Sequence, residues 1–228
     1  MDMERYGDYN EVDEPKSKSK FFLIMKILIF AVCFLVVGVI VFRLILFNYY
    51  PDNIEKLQYT EALREYYYGN DGNMTVETQT LRAPYDDENE GNFMADNLLV
   101  VRDAGHLQLS IRYNNALYAT LAEKGIDLNE DPSRRFTFRL VRDPVDNSDE
   151  AAVPEPIGTY SDCFAEEFMM YTYFKVMFDG IDFEGVEWIR LDIYVDGAEE
   201  PFSIPVYENN EGYRSFDEYK LSKEEVPG

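Results

Sequence analysis

The chain has 228 residues, and its 44 aspartates and glutamates outweigh 21 lysines and arginines, which gives a formal net charge of −23 at pH 7. Nucleic acids and anionic lipid surfaces repel such a chain, because binding to phosphates depends on their neutralisation by Lys and Arg. This balance excludes a nucleic-acid partner and favours cationic peptides, Ca²⁺ or a basic protein surface.

The first 20 residues are polar and include Gly7, Pro15 and an alternation of Lys with Ser. A short segment of this composition has too little apolar surface to fold alone. We expect residues 1–20 to form a disordered cytoplasmic tail.

Residues 21–47 form an apolar stretch that only Lys26 and Arg43 interrupt. From Ile27 to Phe47 there are 21 residues, which would make a helix of roughly 31 Å, and the hydrocarbon core of a bilayer is about 30 Å thick. Both basic side chains lie near an end of the stretch, where a long side chain reaches the membrane interface. The pattern predicts a transmembrane helix at 21–47, with the lipid bilayer as its partner.

The residues on either side of this stretch predict whether it is cleaved and how it is oriented in the membrane. A cleaved signal peptide has an apolar segment of about 7 to 15 residues followed by small residues, and residues 43–50 contain no small-x-small site. Lysines cluster on the N-terminal side, and loops rich in Lys and Arg stay in the cytoplasm. We therefore expect a single-pass, uncleaved anchor in the cell (plasma) membrane, with a cytoplasmic N-terminus and an extracytoplasmic C-terminal domain.

Residues 48–72 are predicted to form a membrane-proximal helix and turn. Apolar and aromatic residues recur at a spacing of three to four from Ile54 to Tyr68, and Gly69 follows as a helix stop. Residues 70–73 have the composition of a turn.

Residues 73–212 have the period-two pattern of β-strands. The predicted strands are Thr75 to Arg82, Asn97 to Arg102, Leu107 to Tyr113, Arg135 to Val141, Glu167 to Phe178, Glu187 to Val195 and Phe202 to Tyr207. A helix at Asn115–Lys124 interrupts them, and residues 142–157 are predicted to be a long acidic loop. Residues 213–228 are expected to be a C-terminal tail, in which Ser215 and Glu218 have the spacing of a helical capping box.

Short strands with turn signals, and no regular alternation of helix and strand, predict a mainly β fold: one antiparallel β-sandwich with one or two short helices. We expect an immunoglobulin-like general shape and leave its topology open, because Trp188 and Cys163 lack the second cysteine of the immunoglobulin signature. The other cysteine, Cys33, lies in the apolar stretch, so no disulfide within the exterior domain is expected.

The sequence offers no recognisable catalytic machinery. His106 is the only histidine, and its place in a predicted hairpin turn indicates a solvated polar residue. We therefore predict no enzyme, no catalytic residue and no cofactor. Carboxylates are abundant, so a surface-polymer hydrolase that uses two acids from residues 86–90 or from Asp179–Glu184 stays an alternative.

A weak calcium signal lies in an acidic loop. Asp86, Glu88 and Glu90, followed by Gly91, match positions 1, 3, 5 and 6 of a calcium-binding loop, but position 12 is Asn97 instead of Glu. We expect a solvated loop and keep calcium-dependent adhesion or sensing as an alternative.

The predicted strand Glu167–Phe178 has large side chains on both faces, although a sandwich strand needs only one apolar face. The second face carries Met169, Tyr171, Tyr173 and Met177. Either the helices near 54–68 or 115–124 cover this face, or a protein partner binds it. The four residues are the candidates for partner binding.

Together these features predict a membrane-anchored protein that presents an acidic exterior domain. Its role is expected to be that of a non-enzymatic interaction or structural module.

Overall fold

The computed structural model describes residues 16–81, 93–123, 130–142, 155–184, 186, 188–195, 201–208, 216–222 and 225–226. The chain divides into two compact units, Met1–Tyr49 and Tyr50–Gly228. The calcium candidates Asp86, Glu88 and Glu90 lie outside the described residues, as does most of the acidic loop predicted at 142–157.

In the first unit, the described residues from 16 onwards form one long helix, α1 (Lys16–Asn48). Its apolar part, Lys20–Leu46, is 27 residues long, and none of its most apolar window is buried. By length and composition this segment can cross a membrane, and a signal sequence near the N-terminus would meet the same criterion. The helix begins at Lys16, inside the tail predicted to be disordered, because the alternating Lys and Ser residues contain no helix breaker after Pro15.

The described part of the second unit contains three short helices, α2 (Asp52–Glu55), α3 (Glu61–Gly69) and α4 (Tyr118–Glu123). The single helix predicted from Ile54 to Tyr68 is therefore wrong, since extended residues separate α2 from α3. Thr60 begins the second of these helices: its Oγ1 accepts a hydrogen bond from the backbone N–H of Leu63 at 3.2 Å. Single 3₁₀ turns occur at Arg102–Ala104, Asn115–Leu117 and Pro132–Arg134.

The rest of the unit is mainly antiparallel β-sheet. The strands are β1 (Glu77–Thr80), β2 (Phe93–Val101), β3 (His106–Asn114), β4 (Phe136–Arg142), β5 (Glu155–Pro156), β6 (Thr159–Phe168), β7 (Tyr171–Asp179), β8 (Trp188–Val195), β9 (Phe202–Glu208) and β10 (Asp217–Glu218). The first sheet has the order β10-β1-β2-β3-β7-β6, and the second has the order β5-β4-β8-β9. The predictions of a mainly β fold, an apolar N-terminal helix and a few short helices are confirmed.

Strand alternation produces the main apolar core, which takes buried side chains from both sheets. Its members from β3 and β8 are Leu107, Leu109, Ile111, Tyr113, Ile189, Leu191, Ile193 and Val195. A second, smaller cluster joins Leu57 and Leu63 to Leu99 and Val101 of β2. Helix α3 is therefore held against the first sheet by Leu63, which is fully buried.

The strand predicted from Glu167 to Phe178 is wrong, because the chain reverses direction inside it. β6 ends at Phe168 and β7 begins at Tyr171, so Met169 and Met170 form a two-residue hairpin turn. The sequence concealed this turn, since it contains no Gly, Asn, Asp or Pro. β6 was not predicted as a separate strand, because it is largely exposed and carries carboxylates between its apolar residues.

The C-terminal segment also differs from expectation. In place of a helix from Ser215, Asp217 and Glu218 form β10 and pair with β1. Beyond it, Glu225 is nearly buried, so this part of the predicted tail belongs to the folded unit.

Candidate functional site

A row of four polar side chains lies on the face of β3 opposite the main core. His106, Gln108, Ser110 and Arg112 alternate with the core residues of the strand, and each is at least 99% buried. We call them the buried polar row. Buried polar groups are costly without hydrogen-bond partners, so the row requires a covering segment that supplies them.

Residues 50–60, which we call the strap, supply that cover. The Ser110 hydroxyl donates to the carbonyl oxygen of Ile54 at 2.7 Å. The Gln108 side chain accepts from the backbone N–H of Gln58 at 3.1 Å and donates to the carbonyl of the same residue. Side chains of the buried polar row thus bind backbone N–H and C=O groups of the strap that would otherwise bind each other in a helix. This explains why the predicted helix is interrupted here.

His106 is part of this bonded chain. Its Nδ1 lies 2.5 Å from Oδ1 of Asp179, and its Nε2 lies 2.7 Å from Nε2 of Gln108. Since the Gln108 amide donates, the geometry fits a neutral imidazole with its proton on Nδ1. The expectation of a solvated turn residue was wrong, because the turn ends at Gly105 and His106 is the first residue of β3.

Ser161, His106 and Asp179 are the three residue types of a hydrolase triad, but their hydrogen bonds differ from those of a triad. The Ser161 hydroxyl donates to Oδ2 of Asp179 at 2.5 Å and not to the imidazole. The imidazole nitrogen that would take the serine proton is occupied by Gln108. In this arrangement His106 and Ser161 both bind, and so orient, the Asp179 carboxylate.

Asp179 is held in its charged form at the end of β7. Partial burial opposes its ionisation, but hydrogen bonds from His106, Ser161 and Thr60 outweigh burial and hold its pKa below the usual range. The Thr60 hydroxyl lies 3.1 Å from Oδ1 of Asp179. The carboxylate thus fixes the end of the strap to the sheet.

Lys175 lies on β7 directly opposite Ser110 and is fully buried beneath the strap. Its ammonium nitrogen lies 3.3 Å from the carbonyl oxygen of Glu55 and 3.4 Å from the Ser110 hydroxyl. Burial lowers the pKa of Lys175 to about 7, although the carboxylates of Glu55 and Glu225 attract its charge. A buried lysine with two neutral partners destabilises the fold when it is charged.

Aromatic rings enclose the beginning of the strap. The Arg112 guanidinium lies 5.5 Å from the ring centre of Tyr50 and 4.7 Å from that of Tyr171. Tyr50 packs edge-on against Tyr173 with ring centres 5.1 Å apart, and Ile54 completes the cluster. These contacts place the first strap residues at the Tyr171 end of β7.

The C-terminal segment fastens the middle of the strap. The Glu225 carboxylate accepts hydrogen bonds from the backbone N–H of Leu57 at 3.0 Å, from that of Ser222 at 2.8 Å, and from the Tyr219 hydroxyl. Burial opposes ionisation of Glu225, but these bonds prevail and lower its pKa. Two distant parts of the sequence are joined through one carboxylate.

The strap changes what the four predicted partner-binding residues can do. Tyr173 and Met177 are buried, Tyr171 is partly exposed, and Met169 remains 59% exposed at the hairpin turn. The face is therefore covered from within at Tyr173, as the sequence allowed for the helices near 54–68, and its most exposed member is Met169 at the hairpin turn.

Beside the strap lies a groove of about 610 Å³. It is lined by Gln58, Tyr59, Thr60, Glu61, Ala62, Arg64, Glu65, Ser161, Asp162, Phe164, Met177 and Asp179. Four of these side chains are carboxylates and one is a guanidinium. The groove therefore presents a negative surface with apolar contacts from Phe164 and Tyr59.

Within the described residues, no group of three or more His, Cys, Asp or Glu side chains is placed to hold a metal ion. Asp182 accepts a hydrogen bond from the backbone N–H of Glu184 at 3.0 Å, which is the geometry of a tight turn. Cys163 and Cys33 are free thiols, and burial raises the pKa of Cys163 to about 12.

The strap and the groove were not found from the sequence. The alternation in β3 indicated a polar face, which is normally solvent-exposed, and no local pattern shows that another segment covers it. No protein-family model, no curated protein and no solved structure matches the chain.

Proposed function

We propose that this protein is a single-pass membrane protein that presents an acidic extracytoplasmic β-sandwich as a non-enzymatic interaction module. The observation that carries the proposal is the order of the elements along the chain. An apolar helical segment of 27 residues, whose most apolar part is not buried, is followed closely by a folded, acidic β unit.

The length of the apolar segment supports retention of α1 as an anchor. A signal peptide needs an apolar region of about 7 to 15 residues, and a span of 27 residues exceeds what a core of about 30 Å requires. The lysines before the span favour a cytoplasmic N-terminus. The β unit then lies outside the cell.

The shared core supports the sandwich. Buried side chains from the first sheet, such as Leu109 and Val176, join the same cluster as Phe138 and Leu191 from the second sheet. Two sheets that bury one common core are the arrangement expected of a sandwich.

The chemistry of the described residues supports binding over catalysis. The only histidine is buried, with both ring nitrogens engaged by Asp179 and Gln108. The groove next to it is negative and open, so its favoured partner is a protein segment that carries basic side chains beside apolar ones.

A binding experiment tests this role. A fluorescent synthetic peptide of alternating lysine and phenylalanine is titrated with the full chain in detergent micelles, and anisotropy gives the Kd. The triple substitution Glu61→Gln, Glu65→Gln, Asp162→Asn is expected to weaken binding about tenfold, because each exposed ion pair contributes up to about 1 kcal/mol.

The matched control removes the same number of charges elsewhere, by Asp71→Asn, Asp103→Asn and Glu184→Gln, all at exposed positions. It is expected to change the Kd far less than the groove variant. An equal loss in both variants would assign the binding to net charge and would reject the groove as the binding surface.

A further inference from the structure

The hairpin turn between β6 and β7 exposes two methionines. Met169 and Met170 are 59% and 39% exposed, and they form the whole turn between Phe168 and Tyr171. Met169 has a φ of 53°, in the left-handed region that Gly or Asn normally occupies. An exposed apolar side chain therefore stands where a small or polar residue fits the backbone better.

This turn is firmly built into the fold. The carbonyl oxygen of Met170 accepts a hydrogen bond from the backbone N–H of Asn115 at 2.8 Å. The flanking residues Phe168 and Tyr171 pack against the cluster of Tyr50, Ile54 and Tyr173. The exposure of the methionines is thus a property of the folded hairpin.

Tyr50, the first residue of the strap, lies at the same end of β7 as the turn. Arg112 lies against the rings of both Tyr50 and Tyr171, so the turn is close to the first residue of the strap. The strap then runs away from the turn, since Thr60 binds Asp179 at the other end of β7. The turn and the point of chain entry are therefore at one end of the β unit.

The connection to the apolar span is short. Tyr50 follows Leu46, the last residue of that span, by four positions, which extend over at most about 14 Å. The headgroup layer on each side of a bilayer is roughly 5 to 8 Å thick. If residues 20–46 cross a membrane, the end of the unit that carries the turn is held within reach of its interface.

We propose that the Met169–Met170 turn inserts into the headgroup region of the membrane that α1 spans, and that the β unit is held against the bilayer by this second contact. The inference rests on the proposed membrane anchor. The turn Phe168–Tyr171 carries no charge, and the neighbouring Glu167 is paired with Arg135 at 2.5 Å. The contact is apolar, so it requires no anionic lipid, which the acidic unit would repel.

Nitroxide depth measurements test the proposal on the full chain in phosphatidylcholine nanodiscs. In a background with Cys33→Ser and Cys163→Ser, one nitroxide is attached at Met169→Cys and, in a second variant, at Met170→Cys. Collision with oxygen, which concentrates in lipid, is compared with collision with a water-soluble nickel chelate. The ratio at both positions is expected to lie well above that of a label at Glu184→Cys, which is exposed beyond the opposite end of β7.

A label at Val37→Cys, in the middle of the apolar span, distinguishes a failure of the turn contact from a failure of the membrane anchor. If its ratio indicates lipid while both turn labels match Glu184→Cys, the turn does not contact the membrane, and the anchor stands. If the Val37→Cys label is itself in water, the membrane anchor and the inference built on it both fail. Replacing Met170 with Ser in the Met169→Cys variant is expected to shift the ratio towards the aqueous value.

Discussion

Replacing the buried Lys175 with Met is expected to stabilise the protein at pH 6. The Lys175 pKa, lowered from 10.5 to about 7, corresponds at about 1.4 kcal/mol per pH unit to a penalty of about 5 kcal/mol for the charged form in the folded state. Methionine keeps most of the side-chain volume and removes the charge. It also removes two hydrogen bonds, to the Glu55 carbonyl and the Ser110 hydroxyl, each worth about 1 kcal/mol.

The balance predicts a change of sign with pH. Between about pH 7 and pH 10.5 the unfolded chain binds a proton at Lys175 that the folded chain does not, so the contribution of Lys175 to stability rises with pH across this window. Below pH 7 the full penalty applies, and Lys175→Met is expected to be more stable by about 3 kcal/mol. At pH 10 the penalty has nearly gone, and the variant is expected to be less stable by about 1 kcal/mol.

Urea unfolding of the full chain in detergent micelles, followed by the fluorescence of Trp188, measures both values; Trp188 is the only tryptophan. Lys220→Met, at an exposed position, is the control for the change of residue type and should have little effect at either pH. Equal destabilisation by Lys175→Met at pH 6 and pH 10 would contradict a charge penalty at Lys175.

Three further predictions concern single side chains in the same unit. Gly105→Ala is expected to cost about 3 kcal/mol of stability and Gly180→Ala about 1 kcal/mol. Both glycines have positive φ, but only at Gly105 would a Cβ lie 2.8 Å from the carbonyl oxygen of Ile181. Equal losses of stability in urea unfolding would show that this close approach is absent. Glu225→Gln is expected to cost about 1 to 2 kcal/mol at pH 7. Because the pKa of Glu225 is lowered from its ordinary value of 4.5, this difference in stability should shrink as the pH falls below that value; a difference that stays unchanged in acid would contradict the role of the Glu225 carboxylate. In a Cys33→Ser background, Cys163 is expected to react with iodoacetamide at pH 8 about 10³ times more slowly than an ordinary thiol, because its pKa is raised from 9.0 to about 12. Rapid alkylation of Cys163, measured by mass spectrometry, would contradict this.

The elements that could be predicted from the sequence are those whose pattern is local. β3 and β8 alternate large apolar residues with polar ones, and their bounds differ from the predicted ones by one residue at most. The apolar helix is equally clear, because a run of this length with only two charged residues is typical of a membrane span. These features depend on residues that are close to one another in the sequence.

The remaining features depend on contacts between distant residues. The buried polar row looks like a solvated face until residues 50–60 are laid over it, and the break between α2 and α3 follows from hydrogen bonds made to Gln108. The turn at Met169 lacks the residues that normally mark a hairpin, so the sequence predicts one strand, Glu167–Phe178, across it. Glu225 was placed in a tail because nothing nearby in sequence shows that Leu57 needs its carboxylate.

The proposed anchor requires residues 20–46 to cross the membrane and the β unit to lie outside. Trypsin treatment of intact cells, followed by mass measurement of the remaining fragments, tests this topology. We expect residues beyond the strap to be lost, while an N-terminal fragment that still contains Met1 and the apolar span is protected and resists extraction by alkaline carbonate. A mature chain that begins after residue 47, or a β unit that trypsin reaches only after the cells are broken, would contradict it.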